Sequence, residues 1–330
     1  MQLYLLLTEN CNLSCSFCIR GKHNNNFLDI NILKQVLQKN DFSKYALMIT
    51  GGEPTLHKDI NEIINLTINK FRFIGINTNG INNLWIDNLK YKDKIHIQIS
   101  IDGTKQVHNQ LRNNNKKDIL EEIENTIRKI EKYNIAYNIS TTVSNNNIDN
   151  IKELINYIGQ FSGMKFWKVS PQLPFGCGDI KSSIKTHTWN DLVDKILDTC
   201  DFKVHIKKLY DINLMEKALM LQNEIKPILN CGSGTSKFYI YPDFSVYPCT
   251  CLKDFPIGNL KTNSLQEIAN NDKCKIFKEY KIAENSPCKK CKFLKLCNSG
   301  CAGISYVYFK KLGMGDYRCP ILQEKLQISQ

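Results

Sequence analysis

No stretch of this chain approaches the roughly 18 to 20 consecutive apolar residues that a membrane-spanning helix needs. No basic leading region or small-residue cleavage site marks the N-terminus either, so MQLYLLLTENC reads as a first β-strand rather than a signal peptide. The expected location is therefore the cytoplasm, with no membrane partner. Histidine is scarce: six occur in 330 residues, all single, and none at the i,i+4 spacing of a helical metal pair. Basic stripes interleaved with aromatic residues are also missing. The formal net charge of +12, from 44 Lys and Arg against 32 Asp and Glu, would attract polyanions. However, it belongs to a composition rich in lysine, asparagine and isoleucine throughout, with asparagine runs at 24–26, 113–115 and 145–147. Nucleic acid is thus not an expected partner.

Cysteine is the residue in excess. The chain has fourteen, and without a secretory signal a disulfide framework is disfavoured, which leaves metal ligation. Three lie within the first 18 residues and nine after residue 230, with only Cys177 and Cys200 between. The length allows one large α/β unit and a smaller second one.

The first half alternates apolar β-type runs with helix-period segments. Strands are predicted at 3–8, 45–50, 72–79, 94–102, 137–144 and 164–170. The clearest helix spans 118–133, where Ile119, Ile123, Ile127 and Ile130 share one face. Six strand-helix units are fewer than the eight of a closed barrel, so the expected fold is α/β, a partial (β/α)6 TIM-type barrel over 1–175. A bridging region at 176–230 holds a strand-like 202–206 and a helix near 211–225. From 231 to 330 the chain turns to cysteine, glycine and proline, with short β-type runs at 237–241 and 246–247 meeting at Pro242-Asp243. Such a unit has little apolar core and would need metal clusters to hold its loops.

Cys11, Cys15 and Cys18 follow the first strand as C-x3-C-x2-C. Three soft ligands on one short loop suit an iron-sulfur cube with one iron left open, whereas structural zinc wants four ligands in a closed tetrahedron. Gly51-Gly52-Glu53-Pro54 follows the second strand, Ser100-Ile-Asp102-Gly103 the fourth, and Arg112 comes twelve residues after Ser100. Asn77-Thr78-Asn79-Gly80 closes the third strand and reads equally as a turn.

In this order, each motif at a strand's C-terminal end, the chain resembles the radical S-adenosylmethionine (SAM) superfamily. That resemblance implies a 4Fe–4S cluster on Cys11, Cys15 and Cys18 whose open iron chelates SAM, giving a 5'-deoxyadenosyl radical. It gives the GGEP segment the SAM amino group, Ser100 and Asp102 the ribose, Arg112 the carboxylate, and Phe17 the face of the adenine. The later cysteines, Cys231, Cys249, Cys288-x2-Cys291-x5-Cys297-x3-Cys301 and Cys319, resemble the SPASM domain, as do 257–260 and 264–270. This implies a small C-terminal cysteine-rich domain holding two auxiliary 4Fe–4S clusters, three clusters in all. Cys231, Cys249 and Cys301 would bind the first, and Cys288, Cys291, Cys297 and Cys319 the second. The fourth ligand of the first is open between Cys251 and a free iron. Phe244 stands where the family commonly has glycine, so the turn there is expected to differ. Cys177, Cys200 and Cys274 are left over; Cys177 lies in a Gly-flanked loop near the presumed active face.

Among such enzymes the resemblance implies, first, maturation of a ribosomally made peptide through an oxidative side-chain crosslink. A second class forms formylglycine in sulfatases. That branch typically has an aspartate after the second SPASM cysteine, where this chain has Thr250. Modification of a small molecule or nucleic acid is a third, and a plain electron carrier is disfavoured by the SAM motifs. Implied partners are a peptide or protein substrate and an external one-electron donor such as flavodoxin or ferredoxin; as Cys11 comes almost at once, leader binding is expected on the barrel, the SPASM surface or a separate leader-binding protein, or the substrate is not leader-guided.

Overall fold

The computed structural model describes residues 1–112, 118–221 and 231–327. Ten strands form one sheet: β1 Gln2–Leu6, β2 Ala46–Thr50, β3 Phe73–Thr78, β4 Ile95–Ser100, β5 Ala136–Val143, β6 Met164–Pro171, β7 Val204–His205, β8 Lys237–Ile240, β9 Ser245–Tyr247 and β10 Gly258–Asn259. Their order is β10-β9-β8-β1-β2-β3-β4-β5-β6-β7, and every pair from β8 to β7 is parallel. The six predicted barrel strands are all present as consecutive neighbours, and among the described residues the sheet stays open, ending at β10 and β7.

Alternation along each strand explains both the core and the lumen. In β4 the side chains of Ile95, Ile97 and Ile99 are buried against the helices, while His96, Gln98 and Ser100 point the other way and stay half-buried. The covering helices are α1 Ile30–Lys39, α2 Ile60–Thr67, α3 Leu84–Asp87, α4 Lys105–Leu111, α5 Ile119–Lys132 and α6 Ile151–Ile158. In α5 the predicted stripe of Ile119, Ile123, Ile127 and Ile130 is fully buried, and Asp118 caps its start by accepting from the Leu120 amide at 3.2 Å. The bridging region supplies α7 Thr186–Thr199 and α8 Ile212–Met220. The helix expected over 211–225 is present as α8, and 222–225, like the 113–115 asparagine run, lie outside the described residues.

The cysteine-rich segment extends the barrel sheet. With little core of its own, it shares the barrel's: β8 adds in parallel to β1, and Phe238 and Ile240, with Phe244, Val246 and Leu260 that follow, join the barrel's hydrophobic cluster. Sequence reading missed this because four-residue strands carry no sign of which edge they join. At Phe244 the turn keeps the conformation a glycine would take, with φ +66°. The left-handed backbone costs about 1–2 kcal/mol, and burial of the ring, about 1.5–3 kcal/mol, offsets it.

Candidate functional site

The ends of β1 to β6 surround a cavity of about 330 Å³. Cys11, Cys15, Phe17 and Cys18 line one wall; Gly52, Glu53, Asn77, Thr78, Asn79, Ser100, Arg112, Thr142 and Ser170 line the rest. Gly51, Pro54 and Asp102 stand behind this wall. The two glycines let the GGEP turn lie against the cysteine loop: a Cβ on Gly51 would sit 2.6 Å from the Thr8 carbonyl oxygen, and one on Gly52 would overlap that of Asn10. Backbone bonds from Gly52 to Thr8 and from Glu53 to Asn10, both 2.8 Å, fix the approach.

Glu53 is 1% exposed. Its Oε1 accepts from the Thr55 amide (3.1 Å), Thr55 Oγ1 (2.7 Å) and Thr78 Oγ1 (2.7 Å), and its Oε2 from the Asn79 amide (2.7 Å). Burial raises its pKa and these donors oppose the rise. Asn79 Nδ2 also donates to Asn12 Oδ1 at 2.7 Å, so the weak NTNG signal proves to be the link between the GGEP turn and the cysteine loop. Arg112 donates to Asp102 Oδ2 from Nε (2.8 Å) and Nη2 (2.5 Å), and its guanidinium lies 5.5 Å over the Phe17 ring. Asp102 Oδ1 accepts from the Thr142 amide at 2.7 Å, so the structure engages both carboxylate oxygens within the chain.

Three thiols on one short loop suit an iron-sulfur cluster with one open iron. Burial pushes Cys11 up to about 12 and also raises Cys15, and the Cys15 and Cys18 charges add to the rise at Cys11. Thiolates at this wall therefore need a cationic centre to be stable, as an iron-sulfur cluster provides. His23, with Nε2 3.8 Å from Cys18 Sγ, Thr142 and Ser170 also reach the cavity. No motif marked them; only their places beside the cysteine loop or at strand ends could have done so.

The later thiols fall into two groups. Cys288, Cys291, Cys297 and Cys319 line one small cavity, while Cys231 and Cys301 line another of about 240 Å³ that Cys297 also borders; Tyr210 and Asp316, the latter paired with Arg318 at 2.6 Å, line both. Cys249 stands close to this second group through Ser233, whose Oγ donates to the Pro248 carbonyl at 2.8 Å beside Cys231. Of the remaining cysteines, Cys274 is buried with its Sγ 2.9 Å from the Gly234 carbonyl oxygen, and Cys200 packs against the core. Cys177 is exposed, with its amide donating to the Cys18 carbonyl at 2.8 Å. Arg20 ties the two cysteine regions together through Tyr241 Oη (3.2 Å) and a close bond to Thr250 Oγ1.

Comparison with known proteins places two family models on the chain. The Radical SAM superfamily profile matches residues 5–158, and that of the SPASM iron-sulfur cluster-binding domain matches 231–292. The chain is 27% identical to a cysteine-type anaerobic sulfatase-maturating enzyme of Clostridium novyi, covering 89% of this chain and 85% of that protein. It is also 27% identical to the sporulation killing factor maturation protein SkfB of Bacillus subtilis, over 81% of this chain and 64% of that one. In fold it matches Streptococcus suis SuiB bound to precursor peptide SuiA, with a TM-score of 0.77 at 16% identity, covering 98% of this chain and 75% of that one. Among the described residues no helix is long and apolar enough to cross a membrane.

Proposed function

Since the chain is a radical SAM enzyme with a SPASM domain, we propose that it matures a ribosomally made peptide by installing an oxidative side-chain crosslink, a C–C, ether or thioether bond. The observation that carries this reading is the single cavity in which the three thiols of the first loop face Glu53, Ser100 and Arg112. A 4Fe–4S cluster on Cys11, Cys15 and Cys18, with SAM, supplies the electron and the 5'-deoxyadenosyl radical that takes a hydrogen atom from an unactivated carbon.

The chain's own residues orient and enclose. Glu53, held by Thr55, Thr78 and Asn79, accepts from the SAM amino group, and Arg112, held by Asp102, meets the carboxylate. Phe17 covers the adenine, and Ser100, with the neighbouring Thr142 and Ser170, offers hydroxyls to the ribose and substrate side. The enclosing loops keep water from the reactive centre. The two later thiol groups would hold auxiliary clusters, which would give the electron lost by the substrate on crosslinking a path away, and an external donor such as flavodoxin or ferredoxin would supply the first electron.

A sulfatase-type formylglycine reaction is the second reading, supported by the Clostridium novyi relative. Against it, the position after Cys249 is Thr250, bound to Arg20, which provides no carboxylate base. Incubation of the reconstituted enzyme with SAM, dithionite and short synthetic cysteine-containing peptides tests the choice by mass spectrometry. Loss of two hydrogens per bond, with fragments missing between the linked residues, supports the crosslink; replacement of a cysteine thiol by an aldehyde supports formylglycine instead.

A further inference from the structure

We propose that Cys251 is the fourth thiolate of the first auxiliary site, closing it with Cys231, Cys249 and Cys301 so that no iron there is open to substrate. The inference rests on the two-cluster reading of the C-terminal domain and decides between the two fourth-ligand alternatives at that site.

Cys249, Thr250 and Cys251 form a tight turn after β9, in which the Leu252 amide returns to the Cys249 carbonyl at 3.1 Å. The turn wraps Cys251 around its neighbour: the Cys251 amide donates to Cys249 Sγ at 3.4 Å, a bond of the kind that stabilises a cluster-bound thiolate. Cys301 enters from the start of the helix Ala302–Phe309. A Cβ placed on Gly303 would lie 3.1 Å from Cys251 Cβ and 3.8 Å from Cys301 Sγ, so both cysteines border one point, and a larger residue than glycine would intrude there. Cys231 shares its cavity with Cys301. Cys251 has no competing use, because Cys288, Cys291, Cys297 and Cys319 already supply four thiols to the other site. Binding would release the thiol protons of all four residues.

Substrate must then be held in the cavity of the first loop, not on the auxiliary iron. The test uses the full chain with Cys11, Cys15 and Cys18 changed to alanine, so that only auxiliary clusters report. Reconstituted anaerobically, this parent should hold about eight irons, and its dithionite-reduced electron paramagnetic resonance spectrum should not change on adding potassium cyanide. Adding Cys251→Ala should either make the spectrum cyanide-sensitive or remove about four irons; adding Cys200→Ala should do neither. A cyanide shift already present in the parent, or a Cys251→Ala protein with the parent's iron and an unresponsive spectrum, would overturn the proposal. A parent with only about four irons would overturn the two-cluster reading beneath it.

Discussion

Arg112 and Asp102 form a buried ion pair behind the cavity, 8% and 1% exposed, joined through Asp102 Oδ2 at 2.8 and 2.5 Å. Beyond the ribose contact that the resemblance implies for Asp102, its carboxylate accepts from Arg112 and the Thr142 amide and so aims the arginine. Asp102→Ala should cost about 3–5 kcal/mol, since it strands a buried cation, and should weaken SAM binding as well. Urea unfolding and equilibrium dialysis with labelled SAM check both; unchanged affinity in a folded variant would mean that Arg112 is held by other means.

Glu53→Gln replaces an acceptor that takes four donors with an amide whose NH2 must face one of them. A loss of about 1–3 kcal/mol follows from each buried group left unpaired. Binding of SAM should fall further than in a Thr55→Ala control, which removes only one of the four.

Gly52→Ala puts a methyl group into the Asn10 carbonyl and within 2.9 Å of that of Glu9. Overpacking of this kind costs about 1–3 kcal/mol. Because the strain falls on the loop that carries Cys11, the iron retained after reconstitution should drop before the global unfolding midpoint does.

His108 is buried, with Nδ1 accepting from the Asp102 amide at 3.1 Å, and desolvation, helped by Arg112 and opposed by Asp118, depresses its pKa to about 3. The folded state therefore holds the neutral ring, and protonation favours unfolding. This stability is complete above about pH 6.5, the ordinary histidine value, and is lost as pH falls from there towards 3. Between about pH 7.5 and 5.5, His108→Gln should show a flatter dependence of the urea midpoint than the parent; equal slopes would remove His108 from the account.

Much of this was legible in the sequence. Alternation in IHIQIS and the four-residue beat of isoleucines in 118–133 announce a strand and a helix of known facing, and the spacing of Cys11, Cys15 and Cys18 announces the chemistry. What stayed hidden depends on long-range pairing. Nothing local says that β8 adds to β1, that Asn79 reaches Asn12, or that Arg20 reaches Thr250, 230 residues away. The conformation of Phe244 was hidden for a related reason: glycine normally marks such a turn, and here burial of an aromatic ring takes its place.

The most direct test of the central claim is anaerobic reconstitution with iron and sulfide, followed by iron counting and mass spectrometry for 5'-deoxyadenosine after dithionite and SAM. The account predicts about twelve irons per chain and deoxyadenosine, and, in the Cys11, Cys15 and Cys18 alanine variant, about eight irons with none. Deoxyadenosine formed by that variant would contradict it.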